Sequence, residues 1–278
     1  MLLPTVESAR RFARRFPRAS SLVLALGVAT LVANPAHAGR NCDGKLPTSQ
    51  SVIKGIGLSE KVLAALDKSG AKVVILARAG SDLSKYNLRY SHLGYVYKSP
   101  EGTWRVLHKL NECGTAVSGI FKQGLGEFFL DDLFQYEAAW VVPTPAIQDA
   151  LLATLLDKTK YGPLHNDQYS MVSYVWGQKY QQSNQWANEV LAAALEPAVR
   201  SREQAQAWLK FKGYTPSTLN IGALTRLGGR VTQANIAFDD HPNDKRFAGQ
   251  IETVTVDSIF NWLQRSGMSG PVVTLALD

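Results

Sequence analysis

Two runs rich in β-branched and aromatic residues, Ser91-His92-Leu93-Gly94-Tyr95-Val96-Tyr97-Lys98 and Thr103-Trp104-Arg105-Val106-Leu107-His108-Lys109-Leu110, flank Ser99-Pro100-Glu101-Gly102. Such runs fit a pleated surface, and Pro followed two residues later by Gly supplies the turn between them. The pair reads as a β-hairpin with one histidine on each strand. Its register decides where those histidines point, because a slip of one residue moves a side chain to the other face. A two-residue turn at Pro100-Glu101 would pair His92 with Lys109 and separate the imidazoles. A three-residue loop of Pro100, Glu101 and Gly102 pairs His92 with Leu110 and sets His108 opposite Gly94. Glycine at the end of the loop favours the second form. Both imidazoles are therefore expected on one face, with Val96, Trp104 and Val106.

The first 38 residues have the layout of an export signal. Arg10, Arg11, Arg14, Arg15 and Arg18 form a basic start, Leu22 to Ala33 an apolar run, and Ala36-His37-Ala38 a small-x-small cleavage pattern. The apolar run falls short of the roughly 20 residues that span a bilayer, so no permanent span is expected after cleavage. A periplasmic or secreted protein follows, with a single domain over 39–278. Of 30 basic and 23 acidic residues, five arginines and Glu7 lie in the signal, which leaves 25 against 22. The remainder is nearly balanced and carries no basic stripe interleaved with aromatics, so a nucleic-acid partner is not expected.

Around the hairpin the pattern alternates between helix and strand. Leu58 to Ser69 has a helical apolar period ending at Gly70, and Lys72 to Arg78 reads as a buried strand. Phe121 to Phe134 reads as a short helix or irregular cover, Glu137 to Pro143 as a strand, and Pro145 to about Asp157 as a helix. A deeply packed helix starts at Ser183, with Trp186, Val190 and Ala194 on one stripe and Ala187, Leu191 and Leu195 beside it. Arg202 to Lys212, Thr218 to Leu227 and Asp257 to Arg265 read as further helices, and Glu252 to Val256 and Val272 to Leu277 as strands. The class is α+β: a small antiparallel sheet packed against a buried helix, with additional C-terminal helices.

Cys42 and Cys113 are the only cysteines. In an oxidising compartment they are expected to pair, closing a loop worth about 4 kcal/mol in the chain-entropy model. The other reading, a reactive thiol, has no accompanying signature at either position. Asp239-Asp240-His241-Pro242-Asn243-Asp244 carries metal-friendly side chains, but consecutive residues do not converge on one ion, and a solvated turn is expected. His165-Asn166-Asp167 reads as a loop. Gly124, Gly126, Gly228 and Gly229 form no phosphate cradle, and neither a metal nor a cofactor is expected. Tyr169, Tyr174, Trp176 and Tyr180 read as core or cleft wall.

Ser183 has two readings. Serine is a favoured N-cap, worth about 1 kcal/mol over alanine. It is also a potential nucleophile if His92 takes its proton and His108 orients His92.

The run from Val74-Ile75-Leu76 through Ser91-His92-Leu93-Gly94 to Val106-Leu107-His108 resembles the permuted papain-like (NlpC-type) superfamily, which includes lecithin retinol acyltransferase-like proteins. Over most of the chain, His92-Leu93-Gly94, Phe128-Phe129-Leu130-Asp131-Asp132 and Ser183-Asn184-Gln185-Trp186 are similar to an uncharacterised bacterial family, domain of unknown function 2145. The resemblance implies a permuted papain-like fold with His92 as base, His108 as orienting residue and Ser183 at the nucleophile position. The superfamily has cysteine there. A thiol ionises readily beside histidine, whereas a hydroxyl needs a base in near-perfect geometry.

Three functions follow from these readings. One is an amide or ester hydrolase or acyltransferase acting on an acyl, peptide or lipid substrate of the cell envelope through acyl-Ser183. Another is a non-catalytic ligand- or protein-binding module that keeps the cleft. The third is a structural subunit of an envelope complex that makes contact through Phe121 to Phe134.

Overall fold

A computed structural model describes residues 48–131 and 133–277, all of which belong to one compact unit. The expected signal and Cys42 lie outside the described residues. Helix α1 (Ser49–Ser69) opens under Thr48, whose hydroxyl accepts the Ser51 N–H, and stops at Gly70 with φ 66°. It starts a full two turns before the expected Leu58, across a stretch in which glycines hide the helical period. Gly55 has a steric reason to be there: a Cβ would stand 2.7 Å from the Phe129 carbonyl oxygen.

Strand β1 (Val73–Ala79) is buried throughout, as its continuous apolar run implies. β2 (His92–Lys98) and β3 (Trp104–Asn111) form the hairpin. The segment expected as a cover divides in two: β4 (Ser118–Gly124) pairs with β3 from Arg105 to Asn111, and only Leu125–Phe129 is helical, as α2. β4 escaped the sequence reading because Gly119 and Gly124 dilute its alternation, and pairing with β3 overrides weak local propensity. β5 (Gln135–Val141), α3 (Pro145–Leu155) and the short α4 (Lys158–Tyr161) follow. Next come the buried α5 (Ser183–Leu195) and α6 (Arg202–Phe211).

The C-terminal part holds β6 (Ser217–Asn220), α7 (Ala223–Thr232), α8 (Asn243–Phe247), β7 (Gln250–Thr253), α9 (Val256–Arg265) and β8 (Val273–Ala276). The helix expected over Thr218 to Leu227 is thus corrected to a strand and a later helix. β6 pairs with β7 as a separate ribbon, and Gly222 stands at the N-cap of α7.

β4-β3-β2-β1-β5-β8 form one six-stranded sheet, antiparallel at every pairing. It is larger than expected because β4 and β8 extend both edges. The two faces carry different cores. Val74, Leu76, Val96, Trp104 and Val106 pack with Leu58, Val62 and Leu66 of α1 and Phe128 and Phe129 of α2. Ile75, Leu93, Tyr95 and Leu107 pack with Trp186, Ala187, Val190 and Leu191 of α5. Each fully buried Leu, Val or Phe side chain contributes roughly 1.5–3 kcal/mol. The Tyr95 phenol reaches α5 and donates to the Ala187 carbonyl. The α+β class and the buried helix against an antiparallel sheet hold. Among the described residues no helix is long and apolar enough to cross a membrane.

Candidate functional site

The hairpin register places the two histidines together. Tyr95 pairs with Leu107 and Val96 with Val106, the register of a three-residue loop. The Ser99 N–H donates to the Thr103 carbonyl at 2.8 Å, and Gly102 takes φ 82°, a left-handed conformation that glycine adopts without strain. Gly94 faces His108 across the strands. A Cβ there would stand 2.9 Å from Val106 Cγ1 and 3.1 Å from His108 Cβ.

His92 Nε2 lies 2.9 Å from His108 Nδ1, and His108 Nε2 lies 2.8 Å from Gln123 Oε1. These contacts fix the protons. An amide oxygen only accepts, so His108 Nε2 carries a hydrogen; in the neutral ring Nδ1 then accepts, and His92 Nε2 donates to it. His108 is fully buried, and its pKa is pushed down to about 4, first by burial and then by the nearby Arg78 cation. Gln123 sits on β4, the strand that the sequence reading missed.

Helix α2 closes this face. The Phe128 ring packs 5.9 Å from His92 and 5.4 Å from His108, centroid to centroid, and the Arg78 guanidinium lies 4.7 Å over the same ring. Arg78 also donates to the Phe128 carbonyl, and its Nη2 pairs with Asp131 at 2.5 Å. Arg78 was not singled out from sequence. Its signal is a cation at the end of an otherwise apolar strand.

Helix α5 approaches from the other face of the sheet and grips the backbone of the histidine strand through Asn184. Asn184 Oδ1 accepts the Leu93 N–H at 3.1 Å, and its Nδ2 donates to the Ser91 carbonyl at 3.3 Å. The two neighbours of His92 are therefore clamped by the first turn of α5. The N-cap is Gln182, whose side chain accepts the Asn184 N–H at 2.9 Å; Ser183 is the first helical residue, not the cap. Ser183 is buried, and the Tyr169 phenol oxygen meets its hydroxyl and N–H. Burial raises the Tyr169 pKa, and these Ser183 contacts oppose the rise. No hydrogen bond joins Ser183 to His92 or His108. The structure thus brings two of the three expected site residues into contact and leaves the third outside their hydrogen-bonded chain.

Behind Ser183 the helix carries a buried ionic network. Arg202 Nε lies 2.9 Å from Glu189 Oε2 and its Nη2 3.3 Å from Oε1, while Gln206 Nε2 donates to Oε1 at 2.8 Å. Gln181 bridges this network to Lys109, whose Nζ donates to Gln181 Oε1 at 2.6 Å and to the Asn166 carbonyl at 2.5 Å. Burial, then repulsion from Arg202, lowers the Lys109 pKa to about 6. Sequence periodicity placed Lys109 on the hairpin but gave no hint that its head is covered.

The other candidates resolve into scaffolding. The turn expected at Asp239 to Asp244 is exposed at Asp239, Asn243 and Asp244, but Asp240 Oδ2 accepts the Tyr174 N–H at 2.7 Å, and buried His241 donates through Nε2 to the Val172 carbonyl at 2.8 Å. His165 Nε2 donates to the Ser118 carbonyl at 3.1 Å. Among the described residues there is no cluster of three His, Cys, Asp or Glu residues able to hold a metal ion. Cys113 is not a free thiol.

The three segments that carried the bacterial resemblance thus converge: His92-Leu93-Gly94 lies between Phe128 on one face and Asn184 on the other. Residues 65–263 match an uncharacterised family conserved in bacteria, domain of unknown function 2145. The chain belongs to this family. No curated protein and no solved structure matches it.

Proposed function

We propose that this family member is an exported, non-catalytic binding module on a permuted papain-like plan, with a structural serine at the nucleophile position. The observation that carries the reading is the separation of duties at the site. The imidazoles are bonded to each other and to Gln123, while Ser183 faces Tyr169. A hydroxyl of ordinary pKa gains nucleophilicity only from a base within hydrogen-bond reach. The polar residues around Ser183 instead hold backbone: Gln182 caps α5 and reaches the Val254 carbonyl, and Asn184 grips β2. The ligand class is an acylated, peptidic or lipid component of the envelope.

The test combines labelling and retention. A serine-directed fluorophosphonate should give no Ser183-dependent adduct, and Ser183→Ala should co-purify with the same small molecules as the wild type, as read by mass spectrometry. An adduct lost in Ser183→Ala would overturn the reading in favour of acyl transfer. That second reading has one observation behind it: the Asn184 clamp holds the head of α5 against the backbone on both sides of His92.

A further inference from the structure

Helix α7 is inside out. Its apolar residues Leu224, Leu227 and Val231 recur at helical spacing and are 85%, 61% and 64% exposed. The side turned toward the protein carries Arg226, Gly229 and Gln233, which are half-buried. The Arg226 guanidinium donates to the Ile221 carbonyl, and a Cβ on Gly229 would meet Ile236 at 3.4 Å, ordinary contact. No residue of the helix is buried. A surface helix ordinarily gains its stability by burying its apolar stripe. Here Gly228 and Gly229 also weaken the helix from within. The helix thus shows to solvent the stripe that should stabilise it.

The surroundings say what kind of partner fits. The Ile221 N–H donates to the Gly249 carbonyl at 2.8 Å, which brings the end of α8 beside the head of α7. Phe247, the last residue of α8, is 71% exposed, and the Arg246 guanidinium lies 4.9 Å over its ring. From Ile221 to Phe238 the chain has Arg226 and Arg230 and no acidic residue. Of the nearby acids, Asp239 is paired with Lys179, Asp240 is buried, and Glu252 is paired with Lys245, which leaves Asp244 as the exposed one. The result is an exposed apolar stripe flanked by the exposed Arg230, with Arg246 over the neighbouring Phe247.

We infer that α7, with Phe247 beside it, lies on an anionic lipid surface, with Leu224, Leu227 and Val231 in the acyl boundary and the exposed Arg230 at the headgroups. Amphipathic helices with Leu or Phe on one side and Arg as the charged residue bind in this way, through apolar burial plus attraction to anionic lipid. The helix lies in the interface and does not span it, since α7 has 10 residues against the roughly 20 that a span needs. This docking is independent of any chemistry at Ser183.

Hydrogen exchange on the full chain reads α7 directly, whatever other segments do. With vesicles of phosphatidylglycerol and phosphatidylcholine, amides of 223–232 should exchange at least tenfold more slowly than in buffer. Pure phosphatidylcholine should give little protection, and Leu224→Gln/Leu227→Gln should lose it while protection of β1 stays unchanged. The substituted side chains are exposed, so folding is not at stake. Equal exchange with and without anionic vesicles overturns the proposal, as does equal protection by both vesicle types. Protection that rises with protein concentration in the absence of lipid also overturns it, because a second copy would then be the occupant.

Discussion

His92 Nε2 and His108 Nδ1 meet at 2.9 Å from adjacent strands, and while His108 is neutral His92 is the donor. Protonation would put a hydrogen on both ring nitrogens of His108, and the bond would then hold only in reverse, with His92 Nε2 accepting. The direction of the bond therefore depends on pH, and its existence on register.

The first prediction concerns that dependence on pH. The folded-state pKa of His108, about 4, lies below its ordinary 6.5, so the unfolded chain binds its proton first as pH falls. Stability from neutral His108 is complete above about pH 6.5, declines between there and about pH 4, and is flat below. A shift of this size corresponds to about 3 kcal/mol. Urea unfolding of wild type and His108→Gln between pH 7.5 and 4 should show a steeper loss in the wild type. Parallel stability curves would refute it.

Gly94 should tolerate no side chain. A Cβ would stand closer to Val106 Cγ1 than real Cβ atoms come and would crowd His108 Cβ, and both lie on a paired strand that does not move aside easily. Gly94→Ala should therefore destabilise by about 1–3 kcal/mol, the usual effect of overpacking. Gly102→Ala offers the comparison: its surroundings are open, and only its left-handed φ of 82° opposes the substitution. Thermal unfolding of the two variants checks this, and an unaffected Gly94→Ala would mean that the strands are not in this register.

Why the hairpin was legible and its surroundings were not follows from where the information sits. Pro100 and Gly102 encode the loop locally, and strand alternation carries the register outward from them, so the His92–His108 meeting could be read ahead of the structure. Gln123, which orients His108, sits on an edge strand whose pairing is a tertiary matter. Ser183 was read correctly as the start of a helix, yet the preceding Gln182 supplies the cap. Glutamine is not a usual N-cap, and it serves here because its amide also bonds Thr253 and Val254 from a distant segment. The face against which α5 packs was equally hidden: helical periodicity marks a buried stripe but not which side of a sheet receives it.

The third prediction separates Asn184 from its neighbour. Removing Asn184 leaves the Leu93 N–H and the Ser91 carbonyl without the partner that ties β2 to α5. Buried polar groups left unpaired cost about 1–3 kcal/mol each. Asn184→Ala should lose roughly 2 kcal/mol or more, whereas Ser183→Ala, which removes neither the cap nor the clamp, should lose less than about 1 kcal/mol. The ordering can be read from denaturant midpoints. Should Ser183→Ala prove the more damaging, the hydroxyl has a structural partner beyond Tyr169.

The last prediction tests the ionic network beneath the site. Glu189 and Arg202 are both buried and meet through two contacts, with Gln181 and Gln206 donating to the remaining carboxylate positions. Burial alone pushes the Glu189 pKa up, and Arg202 is the first of the groups that hold it down. Arg202→Met removes the counter-charge and strands the carboxylate, which typically costs 3–5 kcal/mol. Combining it with Glu189→Gln removes the stranded charge while keeping an amide oxygen for Gln181 or Gln206, so the double variant should recover about half of that loss or more. A double-mutant cycle in urea at pH 7 measures both effects. The single variant should also regain stability as pH falls, because Glu189 without Arg202 titrates at a still higher pKa and protonation relieves the buried charge. If Arg202→Met cost under about 1 kcal/mol, or if its stability fell with pH as the wild type's does, the carboxylate would not be buried against α5 as described.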